Sequence, residues 1–135
     1  MAVLLNVAPD HLDWHGTFDE YVAAKARIHR NQGPADLLIF DADDAGAREA
    51  IAGAQARLHP VSGHRRPAGG SGPAGGRLWL GDTAVDLPPD RAGDPIFVID
   101  AAAAGRAALE LGATAEGISA ALLAFRPPHH RREVV

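Results

Sequence analysis

The sequence has no cysteine, which excludes a disulfide framework and a metal site built from thiolates. No apolar run approaches the roughly 20 residues of a membrane-spanning helix, and the first residues lack the basic region and the apolar length of a signal peptide. The net charge of -4 provides no basic field for a nucleic acid. We therefore expect a cytoplasmic protein with no nucleic-acid partner and no membrane span, and as a separate expectation we take it to be a monomer.

Lysine is nearly absent as well. Of the 13 basic residues, only Lys25 is a lysine. A solvated surface needs only a positive charge, and arginine supplies it, so a lysine that remains is a candidate for a role that arginine cannot fill. Lysine can lose its proton when it is desolvated, whereas arginine cannot. This difference makes Lys25 a candidate functional residue.

The helix predicted around Lys25 supports this interpretation. Thr17 and Glu20 form a capping box, and the helix is expected to run to about Asn31. Lys25 falls at helical spacing on the face that carries three apolar side chains, Phe18, Tyr21 and Ile28. We expect Lys25 to lie within this apolar stripe. The alternative is a lysine at the edge of the stripe that extends its amine into water.

A length of 135 residues fits one domain with a hydrophobic core. Apolar strands alternate with helical patterns, which predicts an α/β fold with a mostly parallel sheet, flanking helices and a small β-hairpin. The expected strands are residues 3–7, 36–40 and 57–62, the expected hairpin is 77–87 with a Gly81-Asp82 turn, and the expected helices are 17–31, 44–54, 97–112 and 114–124.

Two polar segments have structural interpretations. Residues 63–76 are rich in glycine and proline and predict a flexible loop, and they lack the Gly-Lys-Ser/Thr ending of a phosphate loop. Residues 41–44, Asp-Ala-Asp-Asp, could hold a metal, but a helix N-cap with an acidic first turn explains them more simply. His59 and His64 have no partner at a metal-ligand spacing, and we expect both in solvent.

A cluster of polar side chains follows the first predicted strand: Asp10, His11, Asp13 and His15. Open α/β sheets bind ligands at the carboxyl ends of their strands, and carboxylate oxygens are donors that Mg²⁺ prefers. Each residue could instead be a capping aspartate or a solvated loop histidine. As a set beside Lys25, they favour a metal or ligand site.

Two segments carry a resemblance to a known family. The stretch from Asn6 to Lys25 has the pattern Asn-x-x-x-Asp-His-Leu-Asp, a short loop, and Tyr-x-x-Ala-Lys. It resembles the central-domain signature of the Mur ligase family. Residues 125–135 are similar to that family's Phe-x-x-x-x-His-Arg-x-Glu-x-Val segment, in the same order and at about the same separation. The resemblance implies a partial central domain of ATP-binding type at 1–126, without its phosphate loop, and an exit segment at 127–135 toward a C-terminal domain.

The resemblance also implies a function, an ATP-dependent ligase of peptidoglycan synthesis that serves cell wall biogenesis, cell shape and cell division. Within the family, the chain is most similar to ligases that add D-glutamate to UDP-N-acetylmuramoyl-L-alanine through an acyl phosphate. ATP and Mg²⁺ are the implied cofactors. The implied site has His11 and a carbamylated Lys25 as catalytic metal ligands, His130 and Arg131 facing the nucleotide, and Asn6, Asp10 and Asp13 in support.

The chain departs from the family pattern at one helix. The family opens this helix with His-Asn-x-x-Asn, whereas here Ile96 and Phe97 replace the first two residues and Asp100 replaces the last. A carboxylate placed near ATP would repel it. With the phosphate loop and the C-terminal domain also missing, we expect this fragment to be inactive alone. The alternatives are a non-catalytic remnant or paralogue that acts as a binding domain, and a metal-dependent hydrolase, which would need a second histidine cluster.

Overall fold

The computed structural model describes residues 1–7 and 17–126. Its strands form one sheet whose order follows the sequence: β1 (Ala2–Leu4), β2 (Leu37–Asp41), β3 (Arg57–Val61), β4 (Ser71–Ala74), β5 (Arg77–Leu80) and β6 (Thr83–Val85). Strands β1 to β4 run parallel, and β4, β5 and β6 form an antiparallel meander. The predicted sheet and hairpin are confirmed.

The helices of the described ranges are α1 (Phe18–Ala26), which a 3-10 turn (Arg27–His29) continues, α2 (Ala45–Ala50), α3 (Pro95–Glu110) and α4 (Ala115–Ala124). Each α-helix begins at a side chain that accepts a hydrogen bond from its first turn. These N-caps are Thr17, Asp44, Asp94 and Thr114. All of the predicted helices are present, although α2 is shorter than expected. None of them, within these ranges, is long and apolar enough to cross a membrane.

The inner strand β2 lies between two helical layers, and its apolar run Leu37–Phe40 is buried on both faces. Because side chains alternate along a strand, Leu37 and Ile39 share one face and Leu38 and Phe40 share the other. The first face packs against α3 and α4, and the second against α1 and α2. The result is a three-layer arrangement of the predicted α/β class.

The glycine-rich segment 63–76 is not the flexible loop that its composition predicted. It contains β4, and three of its glycines, Gly63, Gly70 and Gly72, allow close contacts between backbones. A Cβ atom on Gly63 would lie 2.1 Å from the carbonyl oxygen of Pro95, and one on Gly72 would lie 2.0 Å from that of Arg65. Side chains do not approach backbone atoms so closely, so both positions require glycine. The segment is a packed part of the fold.

His59 is buried, so the prediction that it lies in solvent is wrong. It is 8% exposed, and its Nε2 atom lies 2.7 Å from Ser71 Oγ. His59 belongs to β3 and Ser71 to the neighbouring β4, a strand within the segment whose composition predicted a loop. His64 is exposed, as predicted.

Candidate functional site

The carboxyl ends of β1, β2 and β3 meet at one edge of the sheet, where open α/β sheets bind ligands. Asp44 connects two elements at this edge. Its Oδ1 atom accepts a hydrogen bond from the N–H of Val7 at 3.1 Å, after β1, and another from the N–H of Ala47 at 2.6 Å, in α2. The predicted N-cap within residues 41–44 is thereby confirmed at Asp44, whereas the predicted acidic first turn is wrong, because the first turn of α2 carries no acidic residue. The segment that carries the polar cluster starts from a point that the N-cap of α2 holds in place.

Asp43 is held by the loop that follows β3. Ser62 Oγ donates to one carboxylate oxygen of Asp43, and Arg65 Nη2 donates to the other at 2.7 Å. These donors, Ser62 foremost, hold the pKa of the Asp43 carboxyl below its ordinary value. The buried Ser62 hydroxyl also accepts from the backbone N–H groups of His64 and Arg65, at 3.0 and 3.3 Å. The hydrogen bonds of Asp43 and Ser62 therefore hold the loop after β3 against the end of β2.

Asp41 ends β2 and completes this acidic segment. Burial, the largest influence on it, raises the pKa of its carboxyl above the ordinary value. Its Oδ1 atom accepts from the N–H of Asp43 at 2.8 Å. Within residues 1–7 and 17–126, no group of three or more His, Cys, Asp or Glu side chains is placed to hold a metal ion. The aspartates of this segment serve its turn and its helix cap.

Lys25 is exposed at the C-terminal end of α1. The buried residue of this helix is Val22, and Lys25 lies roughly 60° around the helix axis from it. The Nζ atom stands 5.2 Å from the centroid of the Tyr21 ring. The expectation of a lysine within the apolar stripe is therefore wrong, and Lys25 fits the alternative of a lysine at its edge.

The structure describes two of the predicted site residues, Lys25 and Asn6, and both are exposed. The others lie outside the described ranges: Asp10, His11, Asp13, His130 and Arg131. Their arrangement stays a prediction. Of the two predicted magnesium ligands only Lys25 is described, so the described residues do not make a magnesium site on their own.

A cationic and aromatic cluster lies where α3 begins and α4 ends. The Arg91 guanidinium stands 5.4 Å from the ring centroid of Phe97 and 5.8 Å from that of Phe125, and the two ring centroids are 6.1 Å apart. Asp100, at the position where the resembling family has asparagine, is exposed on the same helix as Phe97. Nothing in the sequence singled out Arg91, because the segment before α3 carries no motif.

Comparison with known proteins identifies the family. A family model, the Mur ligase middle domain, matches residues 1–67. The UDP-N-acetylmuramoylalanine–D-glutamate ligase of Rubrobacter xylanophilus is 38% identical over 136 residues, which cover 100% of this chain and 30% of that protein. The chain belongs to the Mur ligase family. The resemblance of residues 6–25 to the family's central-domain signature is thus confirmed.

Other Mur ligases of the same name are similar. That of Desulfitobacterium hafniense is 38% identical over 140 residues, which cover 100% of this chain and 31% of that protein. That of Mycobacterium avium is 36% identical over 138 residues, 98% of this chain and 27% of that protein. The chain spans about 30% of the length of the curated relatives it matches. The Mur ligase likeness extends beyond the matched residues 1–67 to the meander, α3 and α4.

Proposed function

We propose that this chain is part of the middle domain of an ATP-dependent ligase that adds D-glutamate to UDP-N-acetylmuramoyl-L-alanine in peptidoglycan synthesis. The observation that carries the proposal is identity of 36 to 38% along nearly the whole chain with three ligases named for D-glutamate. The motif from Asn6 to Lys25 supports it. The proposal places the protein in the cytoplasm as a monomer.

The proposed reaction has two steps. A carboxylate oxygen of the muramoyl substrate attacks the γ-phosphorus of ATP, which gives an acyl phosphate and ADP. The amino nitrogen of D-glutamate then attacks the acyl carbon, forms the amide, and releases phosphate and a proton. Most of the rate in such a reaction comes from positioning the reactants and stabilising the charge of the transition state.

The residues of this chain have distinct roles in the proposal. His11 and a carbamylated Lys25 would hold Mg²⁺, whose charge offsets that of the phosphates. Carbamylation adds CO₂ to the amine nitrogen, and starting from the ammonium it releases two protons and turns a cation into a carboxylate. Arginine cannot take this role, because it does not lose its proton. His130 and Arg131 would face the nucleotide, and three residues, Asn6, Asp10 and Asp13, would support the loop.

A chimera tests the proposal. The aligned segment of the Rubrobacter xylanophilus ligase would be replaced by residues 1–135, and phosphate release from ATP would be measured. We expect release that requires both UDP-N-acetylmuramoyl-L-alanine and D-glutamate. A second chimera with the aligned Mycobacterium avium segment, 36% identical to this chain, controls for the tolerance of the scaffold. If that control ligates D-glutamate while a folded chimera with residues 1–135 does not, the proposal fails. The 135 residues alone should show no ligation.

A second candidate function is a non-catalytic binding domain. One feature of α3 favours it: Asp100 stands where the resembling family has asparagine, and a carboxylate near ATP would repel it. Calorimetric titration of the folded chimera with ATP distinguishes the two candidates. Binding of ATP without ligation, or no binding at all, would favour the non-catalytic candidate.

A further inference from the structure

The join between β3 and β4 is the narrowest in the sheet. Strands β2 and β3 pair through five residue pairs, whereas β3 and β4 pair only through Val61 and Ser71. A backbone hydrogen bond from Ser62 N–H to the Ser71 carbonyl, at 3.1 Å, adds to this pair. The parallel half of the sheet and the antiparallel meander therefore share few main-chain hydrogen bonds. Side-chain contacts consequently matter more for holding these two halves together.

The side-chain contact at this join is that of His59 with Ser71. His59 Nε2 lies 2.7 Å from Ser71 Oγ, and the same oxygen accepts a hydrogen bond from the N–H of Gly81 at 3.0 Å. Gly81 forms the turn between β5 and β6, where its positive φ of 64° suits glycine. Ser71 thus connects a residue of the parallel half to the far turn of the meander.

The hydroxyl of Ser71 can donate its proton to His59 only while His59 is neutral. A hydroxyl has one proton to donate and two lone pairs. Because Oγ accepts from Gly81, its proton can be donated to Nε2 of an imidazole that carries its own proton on Nδ1. An imidazolium would present N–H at Nε2, and Ser71 would then have to accept from both neighbours while its proton loses this acceptor. Protonation therefore turns the hydrogen bond that Ser71 donates to His59 into one that it accepts, and it leaves the proton of the buried Ser71 hydroxyl without this acceptor.

The surroundings of His59 also oppose its protonation. Burial, and then the positive charge of Arg106 on α3, lower the pKa of His59 to about 4, against a smaller opposite effect of Glu110. Glu110 is engaged by two guanidinium groups, that of Arg106 at 2.8 Å and that of Arg57 at the start of β3. The neighbouring β2 places the apolar Ile39 opposite His59, β4 contributes the Ser71 hydroxyl, and the β5–β6 turn contributes the Gly81 backbone.

We propose that His59 and Ser71 form an acid-sensitive latch between the two halves of the sheet, and that protonation of His59 releases the meander locally. An open meander would expose His59 to water, where its pKa returns toward 6.5. Protons then favour the open form, since it binds more of them. Between pH 7 and pH 5 the opening equilibrium should rise on the order of 20-fold.

Hydrogen–deuterium exchange followed by NMR tests this proposal on the whole chain, because amide protection reports local opening. The readout is the Gly81 amide, corrected for the intrinsic pH dependence of exchange, with the Ile39 amide of β2 as internal reference. We expect Gly81 protection to fall on the order of 20-fold from pH 7 to pH 5 while Ile39 protection is kept. Unchanged protection at Gly81, or an equal loss at both amides, would overturn the proposal.

Three variants sharpen the test. His59→Gln carries no titratable ring, so its Gly81 protection should not depend on pH. Ser71→Ala removes the acceptor of the Gly81 amide, so protection should be low at both pH values. His64→Gln changes an exposed histidine and should keep the full pH response. A pH response that persists in His59→Gln, or is lost in His64→Gln, contradicts the latch. If His59→Gln does not fold, the comparison of Gly81 with Ile39 in the unaltered protein decides.

Discussion

The carboxylate of Asp44 accepts a hydrogen bond from the backbone of Val7, a residue 37 positions earlier in the chain, at 3.1 Å. The same oxygen accepts from Ala47 in α2. One side chain therefore starts a helix and fixes the chain just after β1. A local capping interaction therefore also holds a residue that is distant in the sequence.

Replacing Asp44 with alanine should destabilise the protein by at least the roughly 1 kcal/mol of a lost N-cap. The loss should exceed that of a cap alone, because the N–H of the buried Val7 also loses its acceptor. Urea unfolding followed by circular dichroism measures the difference. Asp44→Asn, which keeps an acceptor oxygen, is the matched control and should retain most of the stability. Equal midpoints for both variants would contradict the prediction, because neither bond of the Asp44 side chain would then contribute to stability.

The glycines of residues 63–76 yield a second prediction. Gly72→Ala places a Cβ atom 2.0 Å from the Arg65 carbonyl oxygen, and we expect a loss of roughly 1–3 kcal/mol from overpacking. Gly93→Ala is the control, since an added Cβ there meets nothing within 4 Å and its φ is not positive. Thermal unfolding of the two variants gives the comparison. If Gly72→Ala is as stable as Gly93→Ala, the segment is a loose loop after all.

Local chemistry made parts of this fold predictable. Thr17 was identified as an N-cap, and a cap was placed within residues 41–44, because a capping side chain bonds within its own first turn; the structure confirms both, the second at Asp44. The apolar run of β2 was equally clear, since a strand buried on both faces needs no alternation. Signals of this kind depend on a few neighbouring residues, so they can be recognised without knowledge of the fold.

What the sequence could not predict depends on contacts between distant residues. His59 is buried because β4 lies beside it, and β4 has the composition of a loop. Helical spacing placed Lys25 beside apolar residues, but the sheet packs against the Val22 side of α1. The spacing of residues gives the order of side chains around a helix and not the direction of the core. The family resemblance came from a long motif, which needs no such knowledge.

The Asp43 carboxyl gives a pH prediction. Its pKa is lowered in the folded protein by the Ser62 hydroxyl first and by Arg65, so its stabilising effect is full above the ordinary pKa of 3.8 and is lost as the pH falls through the lowered value. Carbon-13 NMR titration of Asp43 should show the pKa rising in Ser62→Ala, and rising less in Arg65→Ala. A larger rise in Arg65→Ala would contradict the prediction, because Arg65 would then lower the pKa of Asp43 more than Ser62 does.

Asp100 gives a prediction about the nucleotide. If its carboxylate repels ATP in the proposed ligase, Asp100→Asn in the chimera should lower the KM for ATP by roughly fivefold, the equivalent of about 1 kcal/mol for two charges near water's dielectric constant. Asp19→Asn makes the same change in net charge at another exposed position and should leave the KM unchanged. Equal KM values for Asp100→Asn and the parent chimera would show that the Asp100 carboxylate does not weaken ATP binding.

The central claim is that this chain carries part of a ligase site in which its sole lysine, Lys25, has a role that arginine cannot fill. The most direct test is D-glutamate-dependent phosphate release by the chimera with Lys25→Arg, beside Arg27→Lys as a matched exchange at an exposed position of the same region. We predict that Lys25→Arg abolishes ligation although the protein folds, because arginine cannot be carbamylated, and that Arg27→Lys retains it. Ligation by Lys25→Arg at the rate of the parent chimera would contradict the claim.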